Sequence, residues 1–311
     1  MTPTQSYRKV HYELRSAKQV ERRMLIDALQ TLSAAGFHIS EYQYTGMGSI
    51  YFVDFVLFHK YLGIKRMWTV EHDLAITKRI RFNRPFSFVK IFMASAGDVI
   101  AKLPLNRPHL LWLDYDDYVS RALTEDVYMA ISRLPTGSII LVTVDVEAPM
   151  KDPTPAKVKQ YLTAEVERYL PPKPKFAPSQ LPALNLAILG TLCNSAVSVR
   201  DGVNFQPLFS FLYKDGHQML TVGGMLAGEA ERSRLDSQTL EEKNPYMRFS
   251  WKDAPFNIAI PRLTRKERIF LEGSMPGTSG WAPGSFEMEA DDVEAYRNIY
   301  RFFPIYAELA L

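Results

Sequence analysis

Five successive strand-and-helix units occupy the middle of the chain. Each predicted strand is nearly all apolar, and a segment with helical periodicity follows it. The predicted strands are Glu41–Thr45, Arg66–Val70, Val89–Ala94, His109–Leu113 and Gly137–Val144. Strands without an alternating polar face are typical of a parallel sheet that helices cover on both sides. We therefore predict an α/β fold with a doubly wound, mostly parallel, Rossmann-like sheet.

Polar residues follow every one of these predicted strands. They are Gly46 to Ser49, Glu71, Asp98, Asp114 to Asp117, and Asp145. In open α/β sheets, ligands bind beyond the carboxyl ends of the strands. Because the polar residues recur at five successive strand ends, the sequence predicts a ligand site at that edge.

The flanking segments complete the predicted organisation. Residues 7–35 have helical spacing, and Gly36 ends the pattern. Phe205–Tyr213 and Gln218–Val222 flank Asp215-Gly216, which predicts an antiparallel hairpin that closes the sheet. We divide the chain into an N-terminal helical segment (1–36), a Rossmann-like domain (37–228) with a proline-rich insertion at about 149–182, and a C-terminal extension (229–311).

The composition of the sequence bears on the cellular compartment of the protein. The single cysteine, Cys193, has no partner within the chain, so no internal disulfide forms, and a reducing compartment is favoured. No uninterrupted apolar run is long enough to span a bilayer, and the polar N-terminus does not resemble a secretory signal. We predict a cytoplasmic protein without a membrane partner; its oligomeric state is left open.

The turn after the first strand can approach a ligand closely. Gly46 and Gly48 match the start of a dinucleotide-binding fingerprint, but Tyr51 stands where its third glycine belongs. A phosphate-binding P-loop is also absent from the sequence. Glu71 suits a ribose hydroxyl and Asp98 an adenine amino group, although both positions equally suit helix capping.

These residues together resemble class I S-adenosylmethionine-dependent methyltransferases. The resemblance covers roughly residues 40–147 and is most similar to small O-methyltransferases. Its motifs are Tyr44-Thr45-Gly46-Met47-Gly48-Ser49, Thr69-Val70-Glu71-His72-Asp73, Ala96-Gly97-Asp98-Val99 and Trp112-Leu113-Asp114-Tyr115-Asp116. The glycine turn is shorter than the family's usual form.

The resemblance implies S-adenosylmethionine as cofactor. The residues that it assigns to the cofactor are Thr45, Gly46, Gly48, Ser49, Glu71, Gly97, Asp98 and Asp114. In the family, the glycine turn holds the methionine part, the acid after the second strand holds ribose, and the residues after the third strand hold adenine.

The resemblance also implies a catalytic role for Asp114, Asp116 and Asp145. In metal-dependent O-methyltransferases, such carboxylates bind Mg²⁺, which lowers the pKa of a substrate hydroxyl. Alternatively, Lys151 or an arginine of the N-terminal helix neutralises these acids. A base must then accept the proton, and the candidates are His72 and His217.

The methyl acceptor is predicted to be a small molecule or a nucleotide. Two alternatives stay open: a module that senses S-adenosylmethionine or a nucleotide without methyl transfer, and a nucleic-acid methyltransferase that binds its substrate through the basic N-terminal helix, Arg8 to Arg23. The chain lacks the Asn/Asp-Pro-Pro-Tyr/Phe motif of many enzymes that methylate amino groups of bases, which disfavours a DNA-adenine acceptor.

Overall fold

A mixed eight-stranded sheet forms the centre of the molecule. The structure is a computed structural model that describes residues 15–235, 237–278 and 280–304. The strands are β1 (Gln43–Gly46), β2 (Arg66–Glu71), β3 (Val89–Met93), β4 (His109–Tyr118), β5 (Ile139–Asp145), β6 (Asn204–Asp215), β7 (His217–Ala227) and β8 (Phe256–Ile258). Their order is β3-β2-β1-β4-β5-β7-β6-β8. The first five strands are parallel and β7 is antiparallel to both β5 and β6, which confirms the predicted fold class.

Helices cover both faces of this sheet. They are α1 (Ser16–Ala34), α2 (Val53–Leu62), α3 (Thr77–Phe82), α4 (Ala96–Ile100), α5 (Arg121–Arg133), α6 (Pro155–Val166), α7 (Leu181–Val197), α8 (Glu229–Arg234), α9 (Ser237–Lys243), α10 (Arg265–Ser274) and α11 (Ala290–Ile299). One buried cluster contains apolar residues of α1 and α2, and the other contains those of α4 to α7. The sheet is therefore doubly wound, with a core on each side.

The N-terminal helix α1 belongs to the core. Its apolar residues pack under the sheet because Val20, Met24 and Leu29 recur on one face. Asp215, in the β6–β7 turn, accepts hydrogen bonds from the backbone N–H groups of Ala17 (3.1 Å) and of the next residue (2.8 Å). These bonds satisfy amide groups that a helix start leaves free, so the hairpin fixes where α1 begins. Residues 7–14 of the predicted helix lie outside the described residues.

Strand β4 is longer than the sequence predicts. The expected acidic turn at Asp114 to Asp117 continues the strand, because Tyr118 pairs with Asp145 of β5 across a register shift. The following helix starts at Arg121 rather than Tyr118, with Ser120 accepting a hydrogen bond from the Leu123 amide at 3.3 Å. The prediction of a helix from Tyr118 is therefore wrong at its start.

The insertion and the tail pack against the same two cores. Helix α7, with α6, joins the core on the α5 side, and β8 extends the sheet beside β6. Ile258 of β8 and Tyr246 lie in the cluster that includes α1. The division at 36 and 228 stays a prediction.

One helical segment is long and apolar enough to cross a membrane, although the sequence analysis predicts no such segment. Residues Pro178–Val197 are long and apolar enough by length and composition, but 61% of the segment is buried inside the structure. A core helix of this composition meets the same criterion.

Candidate active site at the carboxyl edge of the sheet

Strand register brings the predicted site residues to one edge. Gly46 of β1 lies between Thr69 of β2 and Trp112 of β4. Glu71 and Asp114 each lie two residues further along their strands, at the carboxyl ends. Asp114 is opposite Thr143 of β5, and Asp145 again follows two residues later. The first, second, fourth and fifth predicted strand ends therefore share one edge, and Glu71 pairs with Met93 at the end of β3.

The turn after β1 is held tightly by its own neighbours. The Gly48 amide donates a hydrogen bond to Thr69 Oγ1 at 3.1 Å, and a Cβ atom at Gly48 would lie 2.6 Å from that oxygen. Ser49 and Phe52 have positive φ angles of 49° and 51°. Such left-handed backbone is costly for residues other than glycine, and it clusters at functional sites.

Two hydroxyls beside this turn lack partners. Thr45 Oγ1 and Ser49 Oγ are buried, and neither makes a hydrogen bond to any of the residues that the structure describes. A buried hydroxyl without a partner costs about 1–3 kcal/mol. A polar ligand at this turn would supply the missing partners.

Glu71 is fixed by the chain that follows it. Its Oε1 accepts a hydrogen bond from the Asp73 amide at 2.9 Å, and its side chain is 15% exposed. Asp73 in turn caps the short 3-10 helix Leu74–Ile76. The capping role considered for Glu71 is thus carried by Asp73, and Glu71 keeps its second carboxylate oxygen at the edge of the sheet.

The segment after β3 has a different capping residue from the one predicted. Ser95, not Asp98, caps α4, and its hydroxyl bonds to the Asp98 carboxylate at 2.7 Å. A Cβ at Gly97 would lie 2.7 Å from Asp126 Oδ1. Tyr115 donates a hydrogen bond to the other oxygen of Asp126 at 2.6 Å, and burial raises the pKa of Asp126. Sequence reasoning missed Asp126, because it lies in the middle of a helical pattern.

Asp114 is held by a buried lysine of α1. Lys18 Nζ lies 2.9 Å from Asp114 Oδ1 and 2.9 Å from Glu21 Oε2. It also donates to Tyr213 Oη at 3.1 Å and lies 4.4 Å from the ring centre of Trp112. Burial alone would raise the pKa of Asp114, but the charges of Lys18, Arg15 and Arg22, together with the Lys18 hydrogen bond, outweigh it and lower that pKa. Asp114 is therefore an ionised and anchored carboxylate.

The other two predicted acids have separate partners. Asp116 lies 3.9 Å from Arg15, whereas Asp145 Oδ2 lies 2.8 Å from Nδ1 of His217. Burial raises the pKa of Asp145, and hydrogen bonds from the Glu147 amide and from His217 oppose that rise. The side chain of Asp145 is 7% exposed and that of His217 is 64% exposed.

The geometry gives the magnesium prediction no support. Asp114, Asp116 and Asp145 point to different basic groups, and across residues 15–235, 237–278 and 280–304 no three acidic, histidine or cysteine side chains form a metal-binding group. The extension of β4 provides the reason, because its register shift sets Tyr118, not Asp116, against Asp145, while Asp114 lies opposite Thr143. Instead of a shared metal ion, Lys18 of α1 contacts Asp114, Arg15 lies near Asp116, and His217 contacts Asp145.

The basic face of the N-terminal helix is largely internal. Lys18 and Arg22 are buried, and Arg22 is paired with Asp54 of α2. Arg23 is exposed and donates to the Phe303 carbonyl at 3.2 Å, whereas Arg8 lies outside the described residues. Nucleic-acid binding through this helix stays a prediction. Lys18 and Arg22 cannot contact a phosphate because they are buried.

Comparison with solved structures finds distant likenesses. The O-methyltransferase TomG from Streptomyces achromogenes, in complex with SAM, is 13% identical, with 65% of this chain and 79% of that chain covered and a TM-score of 0.36. Cofactor-bound Rv0187 from MTB is 15% identical, with coverages of 64% and 78% and a TM-score of 0.37. A Methanococcus jannaschii fibrillarin pre-rRNA processing protein is 7% identical, with coverages of 62% and 69% and a TM-score of 0.35. Such low scores carry no argument of their own.

The family assignment rests on the sequence as a whole. No curated protein matches the chain. A family model described as "Putative O-methyltransferase" matches residues 10–311, which is nearly the full length. Together with the sheet order and the site at its carboxyl edge, this match shows that the chain belongs to this O-methyltransferase family and is an S-adenosylmethionine-dependent methyltransferase.

Proposed function

We propose that the protein transfers a methyl group to a hydroxyl oxygen of a small molecule or a nucleotide, without a metal and with His217 as the general base. The observation that carries this proposal is the Asp145–His217 pair, 2.8 Å apart at the carboxyl edge of β5. Asp145 is buried and His217 is exposed, so the pair combines an anchored carboxylate with an accessible imidazole. That arrangement is the one expected of a base and the group that orients it.

The cofactor would be held by the first three strand ends. Thr45 and Ser49 offer buried hydroxyls to its methionine part, and Glu71 offers an oriented carboxylate to its ribose. The segment Ser95–Asp98 would lie against adenine. When bound, S-adenosylmethionine supplies an electrophilic methyl group on its sulfonium, which leaves as a neutral sulfide.

His217 would accept the proton of the acceptor hydroxyl. A carboxylate only accepts hydrogen bonds, so the Asp145 carboxylate selects the tautomer with the hydrogen on Nδ1 of His217. The lone pair is then on Nε2, which takes the proton as the hydroxyl oxygen bonds to the methyl carbon. Asp145 stabilises the imidazolium that results.

Methyl transfer is tested with tritiated S-adenosylmethionine and a panel of phenols, sugars, nucleosides and nucleotides. We expect labelled product and S-adenosylhomocysteine with at least one acceptor, at a rate that EDTA leaves unchanged. Binding of the cofactor without transfer to any acceptor would instead support the sensing module. Transfer only to RNA or DNA, with binding that weakens steeply with salt, would support a nucleic-acid methyltransferase.

The role of the base is tested with His217→Gln and Asp145→Asn. General-base catalysis is worth about 10²–10⁴-fold, so we expect a fall in kcat of that size for His217→Gln, with cofactor affinity unchanged. The matched control is His72→Gln, because His72 is the other candidate base and its side chain is 88% exposed. A fall for His72→Gln but not for His217→Gln would overturn the assignment.

A further inference from the structure

The larger of the two described cavities lies at the opposite edge of the sheet from the candidate active site. It has a volume of about 370 Å³. Its lining consists of residues between α1 and β1, the first residue of β2, residues that precede β4 and β5, and residues of helix α8. The cavity beside Asp145 has only about 10 Å³. Ligands of α/β sheets bind at the carboxyl edge, so a cavity at the amino edge belongs to no site assigned above.

Three arginines converge on this amino-edge cavity. They are Arg66 at the start of β2, Arg107 just before β4 and Arg234 at the end of α8. The structure gives none of the three an ion pair with a carboxylate among the residues it describes. Arg66 donates to the Glu41 carbonyl at 3.4 Å, and Arg107 Nε donates to Asn106 Oδ1 at 3.3 Å. Each guanidinium group therefore keeps donors for a ligand.

Two carboxylates line other parts of the same cavity. Glu231 is fixed, because its Oε2 accepts a hydrogen bond from the Gly228 amide at 2.9 Å, while Glu41 precedes β1. Tyr42, which also lines the cavity, donates a hydrogen bond to the Gly137 carbonyl at 2.9 Å and so joins the residues before β1 to those before β5. The lining therefore places three guanidinium groups and two carboxylates around one cavity.

We propose that this cavity binds a small phosphomonoester of nucleotide size. Guanidinium groups match the geometry of phosphate oxygens and bind them with paired hydrogen bonds. The two carboxylates would accept hydrogen bonds from hydroxyl or amino groups on the body of the ligand. They would also repel a polyanion, so a monophosphate binds better than a triphosphate or a nucleic acid. The volume lies within the range of about 300–1,000 Å³ that is typical of small-molecule pockets.

Calorimetry with uridine monophosphate tests the site. The protein is first saturated with S-adenosylhomocysteine, so that the cofactor site is occupied. We expect one molecule to bind per chain, uridine to bind at least tenfold more weakly because it lacks the phosphate, and uridine triphosphate to bind more weakly than the monophosphate. Absence of binding, or equal binding of uridine, would overturn the proposal.

Variants locate the binding within the chain. Arg66→Ala and Arg234→Ala should each weaken uridine monophosphate binding at least tenfold and leave S-adenosylhomocysteine binding unchanged. Lys65→Ala is the matched control, because Lys65 is an exposed neighbour of Arg66 that does not line the cavity. Binding that survives both arginine substitutions but is lost in Glu71→Ala would place the nucleotide in the cofactor site and reject the amino-edge site.

Discussion

Lys18→Met tests whether the buried lysine maintains the acidic edge. Lys18 is fully buried, and its Nζ is 2.9 Å from carboxylate oxygens of both Asp114 and Glu21. Methionine fills a similar volume but carries no charge, so the substitution removes the cation that contacts the buried Glu21 carboxylate and the largely buried Asp114 carboxylate. Breaking a buried ion pair in this way costs about 3–5 kcal/mol of unfolding free energy. With an unfolding entropy of about 2.1 cal/mol/K per residue over 311 residues, about 1 kcal/mol lowers the Tm by about 1.5 °C, so we expect a fall of roughly 5–8 °C.

The pH dependence provides a second readout of the same substitution. In the wild type, Lys18 lowers the pKa of Asp114, so the stability from this pair is present above the ordinary aspartate pKa and is lost as pH falls through the lowered value. Burial already raises the pKa of Glu21 in the wild type. Without Lys18, we expect that pKa to rise further and the pKa of Asp114 to rise as well. The deficit of the variant should therefore grow as pH rises and shrink towards pH 5.

The control for Lys18→Met is Arg23→Met, on the same helix. Arg23 is exposed, and within the described part of the chain its side chain makes one hydrogen bond, to the Phe303 carbonyl. Its replacement should therefore change stability by less than about 0.5 kcal/mol. Chemical denaturation of both variants between pH 5 and pH 8 measures the effect. Loss of less than about 1 kcal/mol for Lys18→Met at pH 7–8, or an equal loss for Arg23→Met, would refute the assignment of Lys18 as the cation that stabilises this edge.

Three further substitutions test the site and the core. Glu71→Ala should weaken S-adenosylmethionine binding by about 1.5–3 kcal/mol, or roughly 10–100-fold, in calorimetry; unchanged affinity would remove Glu71 from the cofactor site. Gly48→Ala should weaken the same binding without unfolding the chain, because its Cβ would lie 2.6 Å from Thr69 Oγ1; wild-type affinity would contradict the tight turn. His109 is buried with Nε2 2.7 Å from the Pro104 carbonyl, and burial lowers its pKa. Its contribution is therefore present above the unfolded pKa of about 6.5 and lost as pH falls, so His109→Gln should flatten the decline in stability below pH 6.5 by up to about 1.4 kcal/mol per pH unit; parallel profiles would contradict this.

The strands could be predicted because their burial is visible in the local sequence as a run of apolar residues. A strand covered on both faces must be apolar throughout, and β5 is buried at every position from Ile139 to Asp145. The hairpin could also be predicted, because Asp215-Gly216 is typical of a tight turn. In the structure Gly216 has a φ of 99°, which glycine adopts readily. The end of β4 was not predictable in this way. Acidic residues disfavour strand, and only the pairing of Tyr118 with Asp145 extends it.

The buried charges of α1 were outside the reach of a periodicity argument. From the sequence alone, a lysine on a helix is expected to face solvent. Helical spacing also gives no information on whether the partner of that lysine is close or distant in sequence. Asp114 lies 96 residues from Lys18, and Asp215, which caps the helix, lies 197 residues from it. Three separate segments must fold together before any of these charges has its partner, so no local pattern contains the information.

Burial separates the acids that stabilise the edge from those suited to chemistry. Lys18 is inaccessible, so Asp114 has a permanent counter-ion that no substrate can displace, and its charge is fixed around neutral pH. Asp145 is also buried, but its partner His217 is 64% exposed and can exchange a proton with a ligand. A proton acceptor must be reachable as well as oriented, and of the two acid–base pairs only Asp145–His217 meets both conditions. In the function that we propose, the row of strand-end aspartates therefore divides into a structural part on β4 and Asp145 on β5, which orients the proton acceptor His217.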